Sequence, residues 1–126
     1  MPTFRGSGDA PVVQFDPTVE LSPFALFRRL KDGEGPRLVD VRPGSGESPA
    51  RSLQGAETDF HSNWVPAADD EQVVFFDDNG TLAVDLARQL QAAGFPLVKA
   101  LFGGLDLYEF SLDPEIVGSE TFLSRG

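Results

Sequence analysis

Residues 73–83, Val73-Val74-Phe75-Phe76-Asp77-Asp78-Asn79-Gly80-Thr81-Leu82-Ala83, carry the signals that decide the fold. An apolar run comes first, a short polar turn with one glycine follows, and a helical pattern begins at Thr81. This order predicts a buried strand, a tight turn and the first turn of a helix. In such an arrangement backbone N–H groups converge and can bind an anion.

Helical periodicity is present in two longer segments and one short segment. After the polar turn, Leu82, Leu86 and Leu90 recur every four residues, as on the apolar face of a helix. Near the start of the chain, Ser22 and Pro23 are typical of a helix N-terminus, because serine caps free backbone N–H groups and proline fits the first helical position. The predicted helices span residues 22–33, 81–93 and 105–110.

Short apolar runs predict the strands. The run Leu-Val-Asp-Val at residues 38–41 is what a strand buried on both faces of a sheet requires. The predicted strands are residues 12–15, 38–41, 73–76 and 97–101, the first of them at an edge. Because strands alternate with helices, we expect an α/β fold with about five mainly parallel strands and helices on both faces.

One domain accounts for the chain. A length of 126 residues with 40% hydrophobic content suits a single core. We expect residues 1–11 to form a flexible arm and residues 12–126 to form the domain. Within that domain, residues 19–110 are the expected core and residues 111–126 the C-terminal tail.

The composition excludes several classes of function. A net charge of −10 disfavours binding to nucleic acid or to anionic membranes. The absence of cysteine removes disulfides, thiolate catalysis and thiolate metal sites. No segment approaches the roughly 20 apolar residues of a membrane span, and the N-terminus lacks the pattern of a signal peptide. We therefore expect a cytoplasmic protein that binds neither nucleic acid nor membrane and uses no cofactor or metal.

Several short motifs stand in a fixed order along the chain. They are Leu38-Val39-Asp40-Val41-Arg42-Pro43, Gly55-Ala56, Gly80, Gly94-Phe95, Leu101-Phe102-Gly103-Gly104 and Tyr108. Their order and spacing resemble a rhodanese-like domain over residues 19–110, and the resemblance implies the α/β fold predicted above. It makes Asp40, Arg42, Gly103 and Gly104 structural positions of the family. It also implies that Arg42 pairs with an acidic residue of the following loop, for which Glu47 is a candidate.

The same resemblance implies that catalysis has been lost. Catalytic members carry an active-site loop of the form Cys-x-x-Gly-x-Arg-Ser. Aligned on Gly80, Asp77 stands at the cysteine position, Leu82 at the basic position and Ala83 at the hydroxyl position. Sulfur transfer needs a thiolate, so we expect no catalytic residue. The expected vestigial active-site loop consists of Asp77, Asp78, Asn79, Gly80, Thr81, Leu82 and Ala83.

Three functions are compatible with these residues. The first is a non-catalytic binding, regulatory or scaffold module that has a protein partner and binds small anions poorly. The second rests on residues 75–82, which resemble the first motif of haloacid dehalogenase-like phosphatases. In such an enzyme Asp77 would be the nucleophile beside Mg²⁺, although Asn79 replaces the second aspartate. The third is a structural or oligomerising unit with an apolar patch at residues 116–117 and 122–123, unless this tail packs back on its own domain.

Asp77 has two opposed interpretations. Its carboxylate either accepts hydrogen bonds from the backbone N–H groups of residues 80–83, as a built-in anion that caps the following helix, or points into solvent.

Overall fold

Strands and helices are interspersed along the chain, and the fold is of the predicted α/β class. The structure, a computed structural model, describes residues 15–43, 51–118 and 121–125. The predicted arm at residues 1–11 and residues 12–14 of the first predicted strand lie outside the described residues, and Phe15 belongs to no strand. The elements are β1 (Glu20–Leu21), α1 (Pro23–Lys31), β2 (Arg37–Asp40), β3 (Arg51–Leu53), β4 (Val73–Phe76), α2 (Thr81–Ala92), β5 (Val98–Leu101), α3 (Gly104–Ser111), α4 (Pro114–Val117) and β6 (Leu123–Arg125).

Within the described residues, the main sheet has four strands, against the expected five or so. Their order is β1-β5-β4-β2, and all three neighbouring pairs are parallel. A separate two-stranded antiparallel sheet joins β3 to β6, with Leu53 opposite Leu123. The sequence does not predict this second sheet, because each strand is only three residues long and β3 follows a segment rich in Gly, Ser and Pro.

Helices cover both faces of the main sheet, as expected. On one face, Ala83 and Ala87 of α2 pack with Val39 and Phe75 of the sheet. On the other face, α1 and α3 pack against the remaining strand residues. That second layer includes Leu26, Phe27, Leu38, Val74, Phe76, Leu101, Leu105 and Tyr108. The four residues of β4 are all buried, which explains why this strand reads as a continuous apolar run rather than an alternating one.

The start of α1 confirms the predicted cap. The hydroxyl of Ser22 accepts a hydrogen bond from the backbone N–H of Ala25 at 3.2 Å, and Pro23 occupies the first helical turn. The helix ends at Lys31, and Gly33 follows with a positive φ of 76°. Left-handed glycine after a helix allows the chain to turn away towards β2.

The C-terminal tail packs on its own domain. Val117, Phe122 and Leu123 lie against the core layer on the α1 and α3 side, whereas Ile116 is 81% exposed. The sequence allows this tail either to form an apolar patch or to pack back on its own domain. Three of the four residues pack back, and Ile116 does not. Within the part of the chain that the structure describes, no helix is long and apolar enough to cross a membrane.

Candidate functional site

The carboxylate of Asp77 fills the turn between β4 and α2. Oδ1 accepts a hydrogen bond from the backbone N–H of Gly80 at 2.6 Å. Oδ2 accepts from the N–H of Leu82 at 2.9 Å and from that of Ala83 at a longer 3.4 Å. Asp77 is only 5% exposed. We call residues 77–83 the cradle loop, because its N–H groups converge on this one side chain.

Among residues 80–83, the fourth N–H group, that of Thr81, also has an acceptor within the loop. The side-chain oxygen of Asn79 accepts from the N–H of Thr81 at 3.0 Å. The first N–H groups of an α-helix have no partner inside the helix, and here two side chains of the preceding turn supply their acceptors. Gly80 permits this path because it adopts a left-handed conformation with φ of 90°. The interpretation of Asp77 as a built-in helix cap therefore matches the geometry, and the solvent-exposed alternative does not.

The turn Gly103-Gly104 holds the cradle loop from behind. The N–H groups of Leu105 and Asp106 donate to the carbonyl oxygens of Asp77 and Asp78, both at 2.9 Å. A Cβ atom on Gly104 would lie 2.6 Å from backbone atoms of residues 77–79. Only glycine allows this approach, and φ of 63° at Gly104 requires it as well. The two glycines thus have a structural role.

Asp40 and Arg42 form an ion pair at the end of β2, in which Asp40 is buried and Arg42 is partly exposed. The carboxylate of Asp40 is fully buried and accepts from the backbone N–H of Arg42 at 3.0 Å and from its Nη2 at 2.7 Å. Hydrogen bonding to Asp40 raises the pKa of the Arg42 guanidinium above its ordinary value. Arg42 also donates to the carbonyl of Arg51 and to Asp78. Glu47, the expected acidic partner, lies outside the described residues.

Arg51 is a site residue that the sequence does not predict. Its guanidinium donates to Asp78 at 3.2 Å, to Glu109 at 2.9 Å and to Asp106. The hydrogen bond with Asp106 is the main cause of a raised pKa of the Arg51 side chain. Asp106 and Glu109 lie three residues apart on one face of α3, but this spacing does not indicate which arginine of the chain binds them.

The structure brings the predicted positions together at one edge of the sheet. Asp40, the cradle loop and Gly103-Gly104 all follow the ends of neighbouring parallel strands, as expected for a site in an open α/β sheet. At the two substituted positions, Leu82 is 37% exposed and Ala83 is fully buried. A shallow cleft lies on the surface of the cradle loop and the first turns of α2. It is lined by Asp77, Asn79, Thr81, Leu82, Val84, Asp85 and Arg88.

The charged groups at this edge of the sheet already have partners within the chain. Both oxygens of Asp77 are engaged by N–H groups, and the guanidinium groups of Arg42 and Arg51 are engaged by acidic side chains. An incoming anion would have to displace the Asp77 carboxylate. Within residues 15–43, 51–118 and 121–125, no group of three or more acidic or histidine side chains is placed to hold a metal ion.

Comparison with known proteins gives a likeness of fold. The BH2092 protein from Bacillus halodurans, known from a crystal structure, superposes with a TM-score of 0.59 and is 19% identical in sequence. The match covers 75% of this chain and 73% of that chain. No family model and no curated protein sequence matches this chain.

Proposed function

We propose that the chain is a non-catalytic rhodanese-like domain that serves as a cytoplasmic protein-binding module. One observation carries the proposal: the Asp77 carboxylate occupies the N–H groups of the cradle loop, where a catalytic relative would bind sulfur or an oxyanion. A side chain of the chain itself therefore takes the place of the ligand. The hydrogen bonds of the loop then stabilise the fold.

Sulfur transfer is incompatible with the groups present. It requires a thiolate that takes sulfane sulfur from a donor and passes it to an acceptor, and the chain has no cysteine. A cation that attracts thiosulfate is missing at position 82, where Leu82 stands. Asp77 adds a negative charge within the cradle loop instead, which repels an anionic donor, whereas Asp78 is paired with Arg42 and Arg51.

The phosphatase alternative receives less support from the geometry. A nucleophilic aspartate needs one oxygen free to attack phosphorus, and both oxygens of Asp77 accept backbone hydrogen bonds. Asn79 accepts from the N–H of Thr81, so its oxygen serves as a cap. The carboxamide also has no dissociable proton for acid catalysis near neutral pH.

Two activity assays on the purified chain test this proposal. We expect no thiocyanate from thiosulfate and cyanide, and no Mg²⁺-dependent phosphate release from a generic aryl phosphate, beyond the level of Asp77→Ala. Turnover by the wild-type chain that Asp77→Ala abolishes, in either assay, would make the protein an enzyme and refute the proposal.

A series of gain-of-function variants tests which substituted positions prevent sulfur transfer. We expect Asp77→Cys alone to give little sulfur transfer, because Leu82 supplies no positive charge to anchor thiosulfate. Adding Leu82→Arg and Ala83→Ser should raise the rate. Vigorous transfer by Asp77→Cys alone would show that the basic position is dispensable.

A further inference from the structure

The cradle loop contains the dipeptide Asn79-Gly80 at its turn. The side-chain amide of an asparagine can be attacked by the backbone nitrogen of the next residue, which makes asparagine a thermolabile residue in proteins. A glycine in the next position presents no Cβ atom to hinder this attack. The other asparagine of the chain, Asn63, precedes the bulky Trp64. Asn79 is therefore the asparagine at which the sequence favours the reaction.

The two reacting groups of this pair have different environments. Asn79 is exposed and lines the shallow cleft on the cradle loop, so water reaches its side chain. Gly80 is buried, and its N–H donates to Oδ1 of Asp77 at 2.6 Å. The side-chain oxygen of Asn79 accepts from the N–H of Thr81 at 3.0 Å. The amide that would be attacked is thus open to solvent, whereas the nitrogen that would attack it is held by a carboxylate.

Both hydrogen bonds oppose the reaction. The Gly80 nitrogen must lose its proton before it can attack, and the negative charge of the Asp77 carboxylate disfavours a second negative charge on that nitrogen. The hydrogen bond from Thr81 limits rotation of the Asn79 side chain as well. The reaction therefore has to await a local opening of the loop, and the bonds that cap α2 control how often the loop opens.

We propose that Asn79 is a site of spontaneous deamidation and that Asp77 protects it. In this reaction the Gly80 nitrogen gives its proton to hydroxide and forms a bond to Cγ of Asn79. The Cγ–Nδ2 bond breaks, and the side-chain nitrogen takes a proton from water and leaves as ammonia. Water then adds to one of the two carbonyl carbons of the resulting succinimide ring, and the ring C–N bond at that carbon breaks. The product is aspartate or isoaspartate at position 79.

The isoaspartate product does not fit the turn. Its main chain runs through the former side chain, which inserts one carbon atom before the Gly80 nitrogen. Space around Gly80 is limited, because even a Cβ atom there would lie 3.0 Å from the backbone nitrogen of Gly103. We expect the longer turn to lose the hydrogen bond between Gly80 and Asp77. The proposal goes beyond the proposed function and does not depend on what the domain binds.

Peptide mapping by mass spectrometry measures conversion at each asparagine separately. The folded chain is incubated in mildly alkaline buffer beside a synthetic peptide of residues 75–84, which lacks the fold. We expect Asn79 to react at least about tenfold more slowly in the folded chain than in the peptide, and Asp77→Ala to remove most of this protection. Asp77→Asn, which keeps one oxygen acceptor, should give an intermediate rate.

Two controls accompany this comparison. Asp85→Ala removes another carboxylate that lines the same cleft, and it should leave the rate at Asn79 as in wild type. Asn63 is also exposed and is the internal reference within every sample, and we expect little conversion there because Trp64 follows it. Conversion at Asn63 as fast as at Asn79 in Asp77→Ala would refute the choice of Asn79 as the reactive site.

A destabilising substitution elsewhere separates local protection from overall stability. Leu26→Ala removes a fully buried side chain of α1, in the core layer on the other face of the sheet from α2. Well below the melting temperatures of both variants, we expect Asn79 to react near the wild-type rate in Leu26→Ala and faster in Asp77→Ala. Equal acceleration in the two variants would assign the reaction to global unfolding and overturn the role of Asp77. A wild-type chain that reacts as fast as the peptide, or Asp77→Ala as slow as wild type, would overturn it as well.

Discussion

The cradle loop and the exposed ends of α3 and α4 differ in whether their groups find partners within the chain. In the cradle loop, the backbone donors of residues 80–83 bind acceptors on Asp77 and Asn79, within the same turn. At the ends of α3 and α4, the side chains of Phe110 and Ile116 are exposed although nonpolar. We infer that substitutions in the loop change folding stability strongly and that substitution of Phe110 changes it little.

The largest expected effect concerns the support of the cradle loop. Gly104→Ala forces a Cβ atom to within 2.6 Å of the loop backbone at a positive φ, so we expect a loss of about 3 kcal/mol in the free energy of unfolding. Gly33→Ala is the control, because Gly33 has a similar φ of 76° but no neighbouring atom within 4 Å. It should cost roughly 1 kcal/mol. If urea denaturation gave the same loss of stability for both variants, the close approach of Gly104 to the loop backbone would not be the cause of the destabilisation.

Removing the carboxylate should have the next largest effect. Asp77→Ala leaves three buried or part-buried N–H groups without their acceptor, and we expect a loss of about 2 kcal/mol at neutral pH. Asp77→Asn should lie between, because one amide oxygen can still accept. Asp85→Ala, on the exposed side of α2, should change stability by no more than about 0.5 kcal/mol. An unchanged melting temperature in Asp77→Ala would contradict the role of the cap.

The hydroxyl of Tyr108 lies in the core and makes the free energy of unfolding depend on pH. Burial raises its pKa above the ordinary value of 10.0, because phenolate would be charged inside the core. The folded state therefore holds this proton more tightly than the unfolded chain. The resulting stability is complete below about pH 10 and is lost as pH rises above that value.

Comparison with Tyr108→Phe isolates this contribution from other groups that titrate in the same range. Between about pH 9 and about pH 11, wild type should lose about 1 kcal/mol more than the variant. Parallel stability curves for the two proteins would mean that the hydroxyl is not shielded. The hydrogen bond from Tyr108 to the carbonyl of Thr121 should make the variant less stable at neutral pH.

The smallest expected effect on folding stability is that of replacing the exposed Phe110. Phe110→Ser should change the free energy of unfolding by no more than about 0.5 kcal/mol, because the ring is already in water. Leu105→Ala, on the same helix but fully buried, should cost about 3 kcal/mol. A large destabilisation by Phe110→Ser would show that the ring belongs to the core, and the contrast between the two surfaces would fail.

The fold was predictable where the local pattern and the tertiary environment agree. The run Val73–Phe76 is apolar throughout because both faces of β4 are covered, and the cap at Ser22 is a short-range interaction. The pair β3 and β6 was not predictable, because its two strands are joined by about seventy residues of intervening chain and each is too short to show a period.

The site was predictable to the level of its loop. The strand, polar turn and helix start located the anion-binding geometry, and the placement of an acidic residue at its base suggested a built-in anion. The network of Arg51 was not predictable, because its three acidic partners come from two different parts of the chain. Such contacts depend on the packing of α3 beside the cradle loop, which no local spacing reports.

The most direct test of a filled cradle is the response of Asp77→Ala to sulfate. Melting temperatures are measured against sodium sulfate, with sodium chloride at matched ionic strength and Asp85→Ala as controls. We predict a stabilisation of Asp77→Ala that rises with the logarithm of the sulfate concentration and reaches about 2.7 kcal/mol at a hundredfold excess over the dissociation constant. Wild type and Asp85→Ala should show only the weak, unsaturable effect that sulfate has on any protein. Saturable sulfate binding by the wild-type chain, or none by Asp77→Ala, would contradict the claim that Asp77 takes the place of a bound anion.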